Sequence, residues 1–138
     1  YVSDEVLIIA PSSHKFSSRS TVTLNEIGQE DFVLREPGSA TRKTAEDFLN
    51  LLNIKLKIVM ELGSNEAVKN AVSAGIGLGM ISKFSLGQGS NDNGLKAVNV
   101  KGWSCSRQLY VFYRNDSNLS RAQREFLKYL KEESTLWT

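Results

Sequence analysis

Val6-Leu7-Ile8-Ile9-Ala10 is an unbroken apolar run that stops at Pro11. A strand with one wet face alternates apolar and polar residues; a continuous run fits a strand covered on both faces, as in sheets with helices above and below. Reading outward, Thr23-Leu24-Asn25-Glu26 has the form of a capping box and predicts a one-turn helix ending near Gly28. Asp31-Phe32-Val33-Leu34-Arg35 is a second short strand, closed by Pro37-Gly38, after which Ser39 or Thr41 can cap a helix whose Ala45, Phe48, Leu49 and Leu52 share one face. Leu56, Ile58, Met60 and Leu62 alternate as in a strand, with Val59 interrupting. A helix bearing Ala67, Val68, Ala71 and Val72 should end at Gly75, and Gly77 to Ile81 reads as a buried strand with glycines where backbones approach. Leu95 to Val98 is an edge strand, Leu109 to Tyr113 a central strand by its aromatic and β-branched content, and Ser120 with Gln123 opens a last helix whose inner face is Leu119, Ala122, Phe126 and Leu130. Strands and helices alternate, so the fold class is α/β. Such sheets bind ligands at the loops beyond the carboxyl ends of their strands, here Arg35 to Thr41 and Gly63 to Asn65.

The chain has 138 residues, 41% hydrophobic and 23% charged, enough for one ordinary globular domain with a core of its own. Lys plus Arg number 17 against 15 acidic residues, a net charge of +2, so any DNA contact is expected to be made elsewhere. A single cysteine, Cys105, excludes an internal disulfide, and no Cys/His spacing suits a metal, which favours a reducing compartment. No apolar run approaches the roughly 20 residues of a membrane span. The start at Tyr1 carries no secretory pattern and lacks methionine, as in a fragment or a processed chain.

The two loops place hydroxyls and small residues at helix starts, where unpaired N–H groups and the helix dipole suit an anion; capping of the helix's own amides is the competing account. This marks Ser39, Thr41, Gly63, Ser64 and Asn65 as candidate ligand contacts, and Arg42 either as an added cation for an anion or as a solvated first-turn side chain. His14 has no nucleophile motif beside it. Arg107 could activate Cys105, although a lone thiol opening a strand is ordinarily inert. Gly75-Ile76-Gly77-Leu78-Gly79 fails as a dinucleotide loop because it follows a helix and precedes a strand. Asn115-Asp116-Ser117 and Asn118-Leu119-Ser120 match the glycosylation pattern without a secretion signal, and Gly87 to Gly94 reads as the most mobile loop. Arg121, Arg124, Lys128 and Lys131 suit a solvated helix face.

In their order and spacing these segments resemble the effector-binding domain of LysR-type transcriptional regulators. Leu34-Arg35-Glu36-Pro37-Gly38-Ser39-Ala40-Thr41-Arg42 is close to the family's REPGSGTR loop, and Glu61 to Lys69 with Val72 to Ile81 is similar to its helix–glycine–strand block. Ala10-Pro11 with His14 resembles its P-x-H-P-L-A segment, with Lys15-Phe16 in place of Pro-Leu; Leu24 to Ile27 resembles its short helix, and Arg107 to Arg114 and Ser120 to Leu130 its closing strand and helix. The resemblance implies a periplasmic-binding-protein-like (type 2), two-lobed α/β regulatory domain. Residues 1–5 would be a hinge strand from subdomain one, 6–106 subdomain two, and 107–138 the returning strand and C-terminal helix of subdomain one, with the rest of that lobe, a linker helix and a DNA-binding helix-turn-helix upstream. It implies a small-molecule effector bound between the lobes, touched near the first crossover (Tyr1 to Asp4, hence Ser3) and at Gly63, Ser64 and Asn65. It further implies a cytoplasmic homodimer or tetramer, DNA contact only through the upstream part, and neither catalysis, metal, cofactor nor membrane. An apolar seam is expected where the first lobe is cut short. The alternatives on this fold are a transporter's solute-binding protein and an enzyme.

Overall fold

A computed structural model describes residues 2–87, 94–113 and 119–133. The expectations for Tyr1, the 88–93 loop and the Asn115 and Asn118 patterns fall outside these residues. The chain divides into two compact units, Glu5–Cys105 and a second made of Tyr1–Asp4 with Ser106–Thr138.

The larger unit is an α/β sheet in the order β4-β3-β5-β1-β6. Its strands are β1 (Val2–Pro11), β3 (Asp31–Arg35), β4 (Lys57–Leu62), β5 (Leu78–Ser82) and β6 (Leu95–Ala97). The β3 strand pairs in parallel with β4 on one side and β5 on the other, while β1 runs antiparallel to β5 and β6. From β3 the chain moves outward to β4 through α2 (Ala40–Leu51) and then back past β3 to β5 through α3 (Asn65–Ser73). Right-handed crossovers in opposite directions put the two helices on opposite faces, and the core divides accordingly. Ile8, Ala10, Phe32, Leu34, Leu78 and Met80 pack with Ala45 and Leu49 of α2, whereas Ile9, Val33 and Ile81 pack with Val68, Ala71 and Val72 of α3. The unbroken apolar run in β1 is thus required by a layer on each side.

The short helix α1 (Leu24–Ile27) has the expected capping box. Gly75, at φ 78°, ends α3 with bonds from Gly75 N–H to Val72 O and from Ile76 N–H to Ala71 O, the Schellman pattern. Gly77 lies where an added Cβ would stand 2.6 Å from Asp31 O, as its backbone approach requires. The sequence pattern missed a two-stranded parallel ribbon of β2 (Val22–Thr23) and β7 (Val100–Lys101), too short to show a period. It also missed a bulge in β4: Phe32 pairs with Ile58 but Val33 with Met60, leaving Val59 over. Leu52 is a correction, 43% exposed rather than packed, because it lies past the end of α2 at its C-cap.

In the smaller unit, β8 (Ser106–Leu109) pairs with β1, and buried Asp4 accepts from Arg107 Nε at 2.9 Å. Arg107 is therefore engaged with Asp4 rather than poised to activate a thiol, and Cys105 is buried. The expected central strand at Leu109 to Tyr113 is corrected: β8 ends at Leu109, and Tyr110 and Phe112 are 67% and 89% exposed. Intrinsic preference for strand needs a neighbouring strand to pair with, and none lies beside these four residues among those described. Helix α4 (Arg121–Glu133) opens with the expected Ser120–Gln123 box; of its expected inner face Leu119 and Leu130 are half-buried, whereas Ala122 and Phe126 are corrected, being exposed.

Candidate functional site

The carboxyl ends of β3, β4 and β5 converge, and each leads into a helical start. After β3, Glu36-Pro37-Gly38-Ser39 turns sharply: Ser39 N–H donates to Glu36 O at 3.2 Å, Gly38 takes φ 95°, and Pro37 precedes it, the residue order a type II turn demands. Ser39 then stands at the N-cap of α2, buried, with no side-chain capping bond, and Thr41 is buried in the first turn. After β4, Gly63 has open space where a Cβ would go, and Ser64 caps α3 by accepting from Ala67 N–H at 3.1 Å. After β5, Ser82 opens a single 3₁₀ turn, Lys83–Ser85.

Side chains join these three corners. Arg35, the last residue of β3, donates from Nη1 to Asn65 Oδ1 at 3.0 Å, and Asn65 Nδ2 donates to Ser85 Oγ at 2.8 Å. The remaining edge of the guanidinium grips Glu36 with Nε to Oε2 at 2.8 Å and Nη2 to Oε1 at 2.9 Å. This pairing holds the Glu36 carboxyl below the usual carboxylate range and raises Arg35 further, so both stay charged at neutral pH.

Arg42 is neither a free anion ligand nor a solvated side chain. It donates to Glu46 and Glu61, each at 2.7 Å, and to Arg35 O at 3.0 Å, with only 11% of its side chain exposed. Its hydrogen bond to Glu46 first, and that to Glu61, raise its pKa against the effect of burial. It braces the first turn of α2 onto the ends of β3 and β4.

Of the expected contacts, Ser39 and Thr41 stand at the start of α2, and Gly63, Ser64 and Asn65 at the start of α3, tied to the end of β3 through Arg35. Ser3 is an exposed residue of β1 in the smaller unit. Sequence reasoning missed Arg35, Glu36 and Ser85 as a connected group. Adjacent opposite charges at the carboxyl end of a buried strand were the available signal for the first two; Ser85 had none. His14 lies elsewhere: its Nδ1 accepts from Phe16 N–H at 3.2 Å and its Nε2 faces Glu30 Oε2 at 3.6 Å, an arrangement that stitches two loops.

Comparison with known proteins agrees with this architecture. The family described as LysR substrate binding domain matches residues 1–135. The transcriptional activator CmpR of Synechocystis sp. is 30% identical over 130 residues, covering 94% of this chain and 43% of that protein. The regulator CbbR of Xanthobacter flavus is 32% identical over 129 residues, covering 92% and 39%. The chain thus spans about two fifths of the curated relatives it matches. Among solved structures, the regulatory domain of Synechocystis CcmR in complex with 2-PG superposes with a TM-score of 0.85 at 25% identity, covering all of this chain and 65% of that one. The effector-binding domain of QuiR in complex with shikimate superposes at 0.80 with 16% identity, covering 97% and 63%, a likeness of fold. With the family matched over nearly its whole length and regulators among its relatives, the chain belongs to the LysR substrate-binding domains, the effector-binding part of LysR-type transcriptional regulators.

Proposed function

We propose that the chain senses a small anionic effector at the carboxyl ends of β3, β4 and β5 in the larger unit, with Ser39, Thr41, Gly63, Ser64 and Asn65 as its contacts there. The observation that carries this reading is the meeting of two helix starts and one arginine at the point where the chain reverses direction across the sheet. The CcmR domain, similar in fold and 25% identical, is in complex with 2-phosphoglycolate, a ligand of the expected chemistry. The domain acts by binding and not as an enzyme. It reaches DNA through a helix-turn-helix outside this chain, assembles as a homodimer or tetramer, and works in the cytoplasm without metal or cofactor. The effector can shift such an assembly only by as much as it prefers one state over another.

Replacing Ser64 by Trp tests the site. The bulky ring fills the start of α3, so calorimetry with 2-phosphoglycolate should show binding lost, while the missing cap costs about 1 kcal/mol and leaves the protein folded. Unchanged affinity would place the site elsewhere.

A further inference from the structure

We infer that Arg35 is the group through which this site takes an oxyanion, and that the Glu36 carboxylate is a resident competitor that an incoming carboxylate or phosphate displaces. The inference deepens the proposed function and rests on it. The guanidinium is held in place by groups that need not move: its Nη1 is fixed by Asn65, and Asn65 by Ser85. Its other edge, Nε with Nη2, is the fork that receives two oxygens of an oxyanion side by side, and Glu36 fills it with Oε2 and Oε1.

Glu36 is suited to leave. Its side chain is 43% exposed, so turning it into water strands no buried charge, and its backbone is fixed independently by Glu36 N–H donating to Leu62 O at 3.0 Å. The neighbouring arginine offers no alternative receptor, since Arg42 is already shared by Glu46, Glu61 and the Arg35 carbonyl. The competitor also sets selectivity. Exchanging one carboxylate for another on the same fork is nearly even, so a simple monocarboxylate gains little. A ligand bearing a phosphate brings more charge to Arg35 and wins the exchange. The structure thus assigns to this chain a small phosphate-bearing acid rather than a neutral or monocarboxylic effector.

Calorimetry on the complete protein with 2-phosphoglycolate and with inorganic phosphate tests the idea. Glu36→Gln keeps an acceptor for Arg35 but removes the competing charge, and should tighten both probes by roughly tenfold, one decade of affinity. Arg35→Gln should weaken 2-phosphoglycolate by at least about tenfold, and Arg35→Lys, which keeps the charge but loses the fork, should fall between. If Arg35→Gln fails to fold, the Glu36→Gln result decides. Affinity unchanged or weakened in Glu36→Gln overturns the inference, as does wild-type affinity in Arg35→Gln. Binding that Ser64→Trp abolishes but both of these variants leave untouched sinks this inference alone; no binding of either probe by the wild-type protein sinks the anion reading and the inference with it.

Discussion

A Cβ placed on Gly79 would stand 2.8 Å from Val72 Cγ2, 3.0 Å from Val68 Cγ1 and 3.2 Å from Ile9 Cγ1. The residue lies on β5 against the α3 layer, and both valines are fully buried, so they have nowhere to retreat. Gly79→Ala should therefore cost about 1–3 kcal/mol, read as a lower urea midpoint with an unchanged slope. Gly63, with nothing within 4 Å of an added Cβ and no left-handed backbone, is the control: Gly63→Ala should stay within about 0.5 kcal/mol. The sequence pattern placed close approaches at Gly77 and Gly79 alike, but only the structure separates them, the first meeting backbone and the second side chains. Arg35 shows the same limit. Its place at a strand's carboxyl end was readable from Phe32-Val33-Leu34 and Pro37-Gly38, whereas its partner Asn65, and Ser85 bonded to Asn65 in turn, lie 30 and 50 residues away from it and are brought there only by the fold.

Elements whose signals are local were legible, and α1 is the clearest. Glu26 accepts from Arg19, from the Thr23 backbone N–H at 2.8 Å and from the Thr23 hydroxyl, while Thr23 Oγ1 accepts from Glu26 N–H. Arg19 first, then Thr23, lowers the Glu26 pKa from 4.5 to about 2. A carboxylate whose folded pKa is depressed stabilises the fold above its unfolded pKa and loses that contribution as pH falls through the folded one. Between about pH 4.5 and pH 2 the wild-type protein should thus lose stability that Glu26→Gln, already lacking the charge, does not; thermal melts across that window at low salt check it, and parallel curves for the two proteins would refute it. The Ser120–Gln123 box was equally readable. The β4 strand was not fully so. The series Leu56, Ile58, Met60, Leu62 alternates cleanly, yet the bulge at Val59 puts Leu56 against the α2 layer and Met60 and Leu62 against the α3 layer. Periodicity in one strand carries no information about pairing with the next. The departure at Tyr110 to Tyr113 has the same source, a strand preference with no strand beside it among the described residues.

At the scale of the whole molecule, burial is unevenly shared, and protection against hydrogen exchange should follow it. In the larger unit Val6, Ile8, Ile9, Phe32, Val33, Leu78, Met80 and Ile81 are all at most 1% exposed, and their strands are hydrogen-bonded on both sides in β3, β5 and β1. Amides there can exchange only when the sheet opens, so they report the global free energy of unfolding. Helix α4 differs. Its 13 residues contain no buried side chain among those described, and Phe126 and Tyr129 are 60% and 57% exposed. An isolated helix of about that length is marginal in water, because nucleation is costly and tertiary packing supplies most helical stability. The bonds that hold α4 include local ones: its Ser120–Gln123 cap, the Arg124 N–H bond to Ser120 O at 3.1 Å and the exposed Lys128–Glu132 pair, the last worth a few tenths of a kcal/mol. Native-state exchange on this chain should show the amides of Ile8 to Ala10, Phe32 to Leu34 and Met80 to Ile81 as the slowest, with protection of α4 lower by at least about a hundredfold, a gap of roughly 2.7 kcal/mol. Added 2-phosphoglycolate should raise the slow set in step with global stability, as mass action on the native state requires, and leave α4 where it was. Equal protection in α4 and the sheet would show that the helix is held by contacts its exposure does not reveal.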